Sequence, residues 1–435
     1  MKISGKQPKK RNNASGFSHS TFRVQMAPGG EELCLPAELR RRWNLSGNSE
    51  FLLTETPEGL FLAPEDPPLR KVYLEPTSAC NLRCRTCVRT SWTEPTGFME
   101  LSTFRKLLDD LKRFPSLQEM AFWGVGEPLY HGDIVEMVAL AHARGLRTEI
   151  VTNGILLDKR MSEGLVKARL DTIVVSVDGV TSESYADIRC GGDLSQVKDN
   201  IMGLRRARKS IFWDTPEVGI EFVAMRRNVD QLPELANIAF SMGATFIVVT
   251  NLLPYTEELQ GEILYGFSAA TRNDTPRYFA SPELLLPRID MRPEYMAPLL
   301  KLMNRVGRPK IGLRAYAPSD DDHCPFISRG SMAVTWTGDV SPCVALMHSY
   351  RCFVIGREKF IRRYTVGNVK EEEIQDIWNK KEYRDFRRRV ATFDFAPCLR
   401  CGSCQYAESN EEDCFGNPHP VCGDCLWARR VILCP

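Results

Sequence analysis

One stretch of the sequence decides the fold: Glu75-Pro-Thr-Ser-Ala-Cys80-Asn-Leu-Arg-Cys84-Arg-Thr-Cys87. It follows an apolar, β-branched run that predicts a strand. Three cysteines on one loop can bind a single metal centre. Three thiolate ligands on a four-iron cluster leave one iron open to a ligand that is not protein, as catalytic zinc sites keep an open position. The cysteines alone leave a zinc site with a fourth ligand from elsewhere as an alternative.

The residues around and after this loop alternate between strand-like and helix-like segments. Apolar runs predict strands at Val72–Glu75, Glu119–Trp123, Thr148–Thr152, Thr172–Val177, Val218–Val223 and Thr245–Thr250. Amphipathic stretches predict helices at Ser102–Phe114, Asp133–Arg144, Lys159–Arg169, Leu194–Lys209 and Leu232–Met242. Ser102 and Asp158 are predicted as N-caps, and Gly243 as a C-cap glycine.

The number of these repeats predicts the fold class. Because parallel strands need helical crossovers, six strand–helix repeats predict an α/β fold with a parallel sheet. An open six-stranded barrel and a doubly wound sheet both fit this pattern. In either fold, ligands and catalytic groups collect at the carboxyl ends of the strands.

Glycines and small polar residues end three of the predicted strands. The second ends in Gly124-Val-Gly126-Glu127, where glycines let the backbone approach a ligand and a carboxylate can pair with an ammonium group. Thr152 and Asn153 end the third strand, and Ser176 and Asp178 end the fourth, where a ligand's hydroxyl or carboxylate groups could be bound. Ordinary turns and loop capping are the alternative explanation for each element.

In this order, residues 70–250 resemble the radical S-adenosylmethionine (radical SAM) superfamily. Its CxxxCxxC motif falls on Cys80, Cys84 and Cys87, in the loop after the first strand of a partial (β/α)6 TIM-like barrel. The resemblance implies a [4Fe–4S] cluster whose open iron binds SAM and whose electron cleaves SAM to a 5′-deoxyadenosyl radical. It also implies cofactor contacts at Gly124, Gly126, Glu127, Thr152, Asn153, Ser176 and Asp178. One departure is Thr86, at a position that is often aromatic in the family.

Apart from Cys352, nine cysteines follow the scaffold: Cys324, Cys343, Cys398, Cys401, Cys404, Cys414, Cys422, Cys425 and Cys434. Two CxxC pairs among them have the spacing of a zinc ribbon, but one ribbon would leave five cysteines unexplained. The pattern Cys324-x13-Gly338-x4-Cys343 with a cysteine-dense tail resembles the SPASM extension of radical SAM enzymes. That resemblance implies two auxiliary [4Fe–4S] clusters. The spacing departs from the SPASM pattern after Cys401, so the division of the ligands stays open.

The remaining segments complete a predicted domain plan. Residues 1–21 are expected to be a disordered basic tail, 22–66 a small β unit, 67–251 the barrel, 252–320 a connecting insertion, and 321–435 the SPASM-like domain. The small unit, with a predicted helix Ala37–Trp43, resembles the swapped-hairpin domain of AbrB-type regulators. The resemblance implies a homodimer or a docked partner.

Composition excludes several classes of protein. Hydrophobic residues make up 43% of the 435 residues, enough for a large core. The 57 Lys and Arg balance the 55 Asp and Glu, which argues against a nucleic-acid surface over the whole protein. Without a long apolar run or an apolar leader at the N-terminus, we expect a cytoplasmic protein. In that reducing compartment, 15 cysteines favour metal binding over disulfides.

Three functional classes compete: a radical SAM enzyme, a multi-cluster electron-transfer protein, and a redox-sensing DNA-binding regulator. The polar strand ends favour the enzyme, because the other two need no cofactor pocket. The stretch from Asn410 to Pro435 resembles the radical SAM maturases associated with tungsten-dependent aldehyde ferredoxin oxidoreductases. That implies a protein or protein-bound cofactor as substrate, and an electron donor such as ferredoxin or flavodoxin. A peptide-modifying SPASM enzyme is the alternative.

Overall fold

The structure is a computed structural model that describes residues 25–26, 33–34, 36–37, 40, 51–56, 59–64, 67–210, 214–270, 287–306, 312–313, 324–399, 401 and 404–434. The chain divides into two compact units, Met1–Ser49 and Glu50–Pro435. In the first unit, strand β1 (Gln25–Met26) pairs antiparallel with β2 (Leu33–Cys34). Most of the predicted helix Ala37–Trp43 lies outside the described residues, and the likeness to AbrB-type domains stays a prediction.

The second unit begins with an antiparallel hairpin and continues into six parallel strands. The hairpin joins β3 (Phe51–Thr56) to β4 (Gly59–Pro64). The parallel strands are β5 (Lys71–Leu74), β6 (Glu119–Phe122), β7 (Arg147–Thr152), β8 (Thr172–Ser176), β9 (Glu217–Ala224) and β10 (Phe246–Asn251). They lie in chain order, each beside the next. A doubly wound sheet would reverse this order at a switch point, so the structure confirms the open barrel.

Helices connect these strands, as the amphipathic segments predict. The barrel helices are Leu101–Asp110, Ile134–Ala143, Lys159–Lys167, Ser182–Ile188, Leu194–Ser210 and Leu232–Met242. Asp158 is the confirmed N-cap of its helix, since its Oδ1 accepts from Met161 N at 2.7 Å. The prediction for Ser102 is wrong, because the helix already begins at Leu101 and the extended residue before it is Glu100. Gly243 is left-handed, as predicted for a C-cap.

The helices beyond the barrel are Phe267–Ala270, Pro293–Val306, Pro325–Ser328, Ile374–Asn379 and Lys381–Thr392. The strands there are β11 (Gly312–Leu313), β12 (Ser331–Val334), β13 (Asp339–Ser341), β14 (Tyr350–Val354), β15 (Arg357–Ile361) and β16 (Gly367–Asn368). Strand β12 lies parallel to β5 at the open side of the barrel, and β13 and β16 continue the sheet antiparallel. The barrel and the cysteine-rich region therefore share one ten-stranded sheet.

The two faces of the barrel strands pack against different elements. Val72, Phe122, Ile150 and other side chains of one face form a core with the helices. The opposite face is covered in part by the segment that follows Trp427. Leu433 packs there against Val174 and Val248, and its N–H donates to Thr250 Oγ1 at 2.8 Å. This face is the interior of the barrel, so part of it is filled by residues from far along the chain.

None of the helices in the described part of the chain is long and apolar enough to cross a bilayer.

Candidate active site

The cysteine loop follows β5 and brings Cys80, Cys84 and Cys87 together. Burial, helped by the charges of Cys87 and Cys80, raises the pKa of Cys84 to about 11. Burial also raises the pKa of Cys87. Such thiols become thiolates readily only beside a centre whose positive charge offsets the cost of burying the negative charge. This donor set therefore fits an iron–sulfur cluster. Two N–H groups also point at Cys80 Sγ, from Leu82 N at 3.4 Å and Asn153 Nδ2 at 3.8 Å.

The glycines after β6 are needed for packing on this loop. A Cβ atom on Gly124 would lie 2.5 Å from Glu75 Cγ, and one on Gly126 would lie 2.2 Å from the carbonyl oxygen of Thr77. Both distances are too short for any side chain. The absence of Cβ therefore serves the contact between two loops of the protein. Contact of these glycines with SAM is a separate prediction that the packing leaves untested.

Glu127 is a buried carboxylate with three donors. Its Oε1 accepts from Leu129 N at 3.0 Å and from Thr152 Oγ1 at 2.6 Å, and its Oε2 accepts from Asn153 N at 2.8 Å. Burial raises the pKa of Glu127, against the lowering effect of the donors. Asn153 Nδ2 then reaches Asn81 Oδ1 at 2.9 Å. Three of the predicted site residues thus form one network that joins the ends of β6 and β7 to the cysteine loop.

Asp178 forms a buried ion pair. Its Oδ2 accepts from Arg189 Nε at 2.7 Å, and its Oδ1 accepts from Val223 N at 2.9 Å. Arg189 also lies close enough to Cys84 to lower the pKa of that thiol, opposing the larger effect of burial. The carboxylate of Asp178 therefore positions a cation near the cysteine loop. A ribose contact by Asp178 stays a prediction.

Ser176 leads to a residue that sequence reasoning missed. Its Oγ donates to Glu221 Oε2 at 3.4 Å. Glu221 lies on β9 and is half-buried, and burial raises its pKa to about 7. The signal in the sequence was a carboxylate in the middle of the apolar run Val218–Val223. A carboxyl group that titrates near neutral pH can accept or donate a proton at the pH of the cell.

Four of the nine later cysteines are partly buried and act electrostatically on one another. Burial raises the pKa of Cys422, and the charges of Cys425, Cys324 and Cys343 raise it further. Cys343 responds in the same way to Cys324 and Cys425. Each of these four thiols therefore lies within electrostatic range of others in the set, although they come from two distant parts of the chain.

A second group lies in the segment from Cys398 to Cys414. Burial raises the pKa of Cys398, and the charges of Cys414 and Cys404 act in the same direction. Cys401, on the same turn, is exposed, as are Cys404 and Cys414. This group is therefore closer to solvent than the first.

Cys434 packs against the same apolar cluster as Cys324 and Cys343, but different charges act on it. Its pKa is raised to about 12, first by burial and then by the charge of Glu221, while Lys71 acts in the opposite direction. Trp427 Nε1 donates to its sulfur at 3.2 Å. Lys71 and Glu221 belong to β5 and β9, so this thiol lies beside the barrel strands.

The barrel, the three-cysteine loop and the polar strand ends define a radical SAM enzyme. The chain matches the radical SAM superfamily over residues 74–238 and an iron–sulfur cluster-binding domain of the SPASM type over residues 324–405. It therefore binds SAM and carries [4Fe–4S] clusters. The match to an iron–sulfur domain favours iron–sulfur clusters over the zinc ribbon in the later cysteines.

Similar proteins narrow the assignment. The chain is 33% identical over 371 residues to the tungsten-containing aldehyde ferredoxin oxidoreductase cofactor-modifying protein of Pyrococcus furiosus, covering 84% of this chain and 97% of that protein. It is 27% identical to the PqqA peptide cyclase of Gluconobacter oxydans, over 84% and 93% of the two chains. This chain belongs to the radical SAM family that includes the Pyrococcus furiosus protein.

The barrel with its extension also resembles solved structures. The crystal structure of Streptococcus suis SuiB bound to its precursor peptide SuiA superposes with a TM-score of 0.55 at 16% identity, covering 78% of this chain and 70% of that one. At this identity the likeness concerns the fold alone.

Proposed function

We propose that this radical SAM enzyme acts in the maturation of a tungsten-dependent aldehyde ferredoxin oxidoreductase or of its cofactor. The observation that carries the proposal is the similarity to the Pyrococcus furiosus cofactor-modifying protein along nearly its whole length. That alignment is too long to reflect a shared barrel alone. The substrate is then a partner protein or a cofactor held by it.

In this proposal the cysteine loop and the strand ends have separate tasks. Cys80, Cys84 and Cys87 hold the cluster, which when bound supplies the electron that splits SAM into methionine and a 5′-deoxyadenosyl radical. The backbone from Gly124 to Glu127 receives the methionine part of SAM, and Ser176 faces its ribose. The network around Glu127 holds the turn after β6 and the end of β7 against the cysteine loop.

We further propose how the later cysteines divide. Cys324, Cys343, Cys422 and Cys425 hold a buried auxiliary [4Fe–4S] cluster, because their charges act on one another. Cys398, Cys401, Cys404 and Cys414 hold a second auxiliary cluster nearer to solvent. Cys434 is the spare thiol, since the largest charges that act on it are those of Glu221, Lys71 and Arg329 rather than those of other cysteines.

The exposed position of the second group suits electron exchange with a soluble donor such as ferredoxin or flavodoxin. The small unit at residues 22–66 is proposed to form a homodimer or to dock the partner protein, as the likeness to swapped-hairpin domains implies.

Deletion of the gene in its host tests the proposed substrate. The tungsten oxidoreductase, purified from the deletion strain, should be inactive with its polypeptide present and folded. Complementation with the wild-type gene should restore activity, and the Cys80, Cys84 and Cys87 triple alanine variant should not. A fully active oxidoreductase with an unaltered cofactor in the deletion strain would reject the proposal.

Peptide modification is the second candidate, and the similarity to PqqA peptide cyclase favours it. In that case the substrate is a short peptide encoded nearby. Incubation of that peptide with reduced enzyme and SAM should change the peptide's mass while 5′-deoxyadenosine is formed. An unaltered peptide would exclude this function.

A further inference from the structure

A buried histidine joins the cysteine-rich region to the radical site. His348 is buried, and each ring nitrogen faces a carboxylate. Its Nε2 lies 3.0 Å from Glu75 Oε2 and 3.1 Å from Glu75 Oε1, and its Nδ1 lies 2.8 Å from Glu94 Oε2. A nitrogen that faces a carboxylate oxygen must donate. Because both nitrogens do so, the ring carries both protons and is an imidazolium.

The surroundings of the ring favour this charged form. Burial by itself lowers the pKa of His348, but the hydrogen bonds and charges of Glu75 and Glu94 outweigh it and raise the pKa to about 9. The charge of Arg363 also acts on Glu94 and lowers its pKa. Trp92 lies against the ring with its centroid 4.4 Å away and carries no charge. The imidazolium is therefore present below about pH 9 and is lost as the pH rises through that value.

The carboxylate on the other side of the ring leads to the site. Glu75 directly follows β5, is fully buried, and begins the loop that carries Cys80. Its Oε1 also accepts from Val125 N at 3.1 Å, and its Oε2 from Trp336 N at 3.4 Å. Its side chain occupies the space where a Cβ of Gly124 would be. Glu75 thus contacts the turn after β6, the segment after β12, and His348.

We infer that His348 is a positioning residue for the radical site. As an imidazolium it holds the Glu75 carboxylate against the N–H of Val125, and so fixes the turn from Gly124 to Glu127 for SAM. This inference rests on the proposed binding of SAM at that turn. It also gives the cysteine-rich region a role in SAM binding that does not depend on electron transfer, because His348 belongs to that region.

The test is the affinity for SAM of the full-length, anaerobically reconstituted protein. The dissociation constant is measured between pH 7 and pH 10 by titrating SAM into the reduced enzyme and following the electron paramagnetic resonance signal of its clusters. His348→Gln keeps an amide that donates to one carboxylate, but it loses the charge, and its oxygen cannot donate to the other carboxylate. We expect SAM binding at pH 7.5 to weaken by about tenfold or more, with the iron content unchanged. His419→Gln, another histidine of the same region, is the matched control and should bind SAM as the wild type does.

The pH profile separates positioning from a general effect on folding. Glu94→Gln removes one of the two negative charges beside the ring. The weakening of SAM binding at high pH should then begin at lower pH than in the wild type. The ammonium group of SAM titrates in the same range, but equally for every variant. A structural role alone would not move this profile.

Each outcome decides the matter. Wild-type affinity in His348→Gln with full iron content overturns the inference. If that variant loses iron, Glu94→Gln decides, and an unmoved alkaline limb overturns the inference. Glu127→Gln is the variant that tests the proposed SAM site itself. Weaker binding in Glu127→Gln alone rejects the role of His348, and unchanged affinity in both variants rejects SAM binding at the turn as well.

Discussion

Replacement of Glu127 tests the network that holds the candidate site together. Glu127→Ala removes the acceptor of two buried backbone N–H groups, those of Leu129 and Asn153, and of the Thr152 hydroxyl. An unsatisfied buried donor costs about 1–3 kcal/mol, so two of them cost roughly 2–6 kcal/mol. Burial already raises the pKa of Glu127, and relief of that buried charge offsets part of the loss. We therefore expect the free energy of unfolding to fall by about 2–4 kcal/mol.

The isosteric variant separates the two tasks of this side chain. Glu127→Gln keeps an oxygen for Leu129 N and Thr152 Oγ1, and loses the bond from Asn153 N, a cost of about 1–3 kcal/mol in unfolding. It also loses the negative charge. If Glu127 pairs with the ammonium group of SAM, affinity should fall by roughly 1.5–3 kcal/mol, or about tenfold to hundredfold.

Denaturant unfolding under anaerobic conditions measures the first effect, and calorimetric titration with SAM measures the second. If Glu127→Ala unfolds at the same denaturant midpoint as the wild type, the network does not stabilise the fold as proposed. Unchanged SAM affinity in Glu127→Gln would refute the ammonium contact. The role of the carboxylate would then be limited to its hydrogen bonds within the protein.

Three further predictions concern other residues. Alanine at Cys80, Cys84 and Cys87 together should remove four irons and abolish 5′-deoxyadenosine formation, and any product from that variant would contradict the site. Cys434→Ser should keep the full complement of about twelve irons expected for three clusters, measured by iron analysis, and a loss of four would make Cys434 a ligand. Burial raises the pKa of Glu221 from 4.5 to about 7, so protonation of this carboxyl group favours the folded protein. The folded protein therefore loses stability as the pH rises through this window. Glu221→Gln should therefore gain up to roughly 3 kcal/mol over the wild type at pH 8 relative to pH 5, and an equal difference at both pH values would contradict it.

The barrel was predictable because its signals are local. Each of the six strands is an apolar run of four to eight residues, and five of its helices have amphipathic stretches long enough to show periodicity. The seven-residue helix Ser182–Ile188 was too short for this. The N-cap at Ser102 was predicted wrongly because the sequence does not show which of Glu100 and Ser102 takes the extended conformation.

The candidate site was predictable only in part. Cys80, Cys84 and Cys87 follow one another on a single loop, so their spacing was enough to predict a metal centre. Glu75 and His348 lie far apart in sequence, and their contact depends on β12 lying beside β5. A single sequence does not encode that pairing in any local pattern. The proposed grouping of Cys324 and Cys343 with Cys422 and Cys425 could not be predicted from the sequence for the same reason.

The pairing of β5 with β12 also bears on how the protein is made. β5 leaves the ribosome early, yet the strand that covers its open side begins only at Ser331. At roughly 5–20 residues per second, the nascent barrel waits on the order of ten seconds or more with an uncovered strand edge. Exposed edges of this kind recruit other chains. Production of residues 67–251 alone would make that vulnerable interval permanent, so the catalytic barrel should be handled together with its iron–sulfur extension.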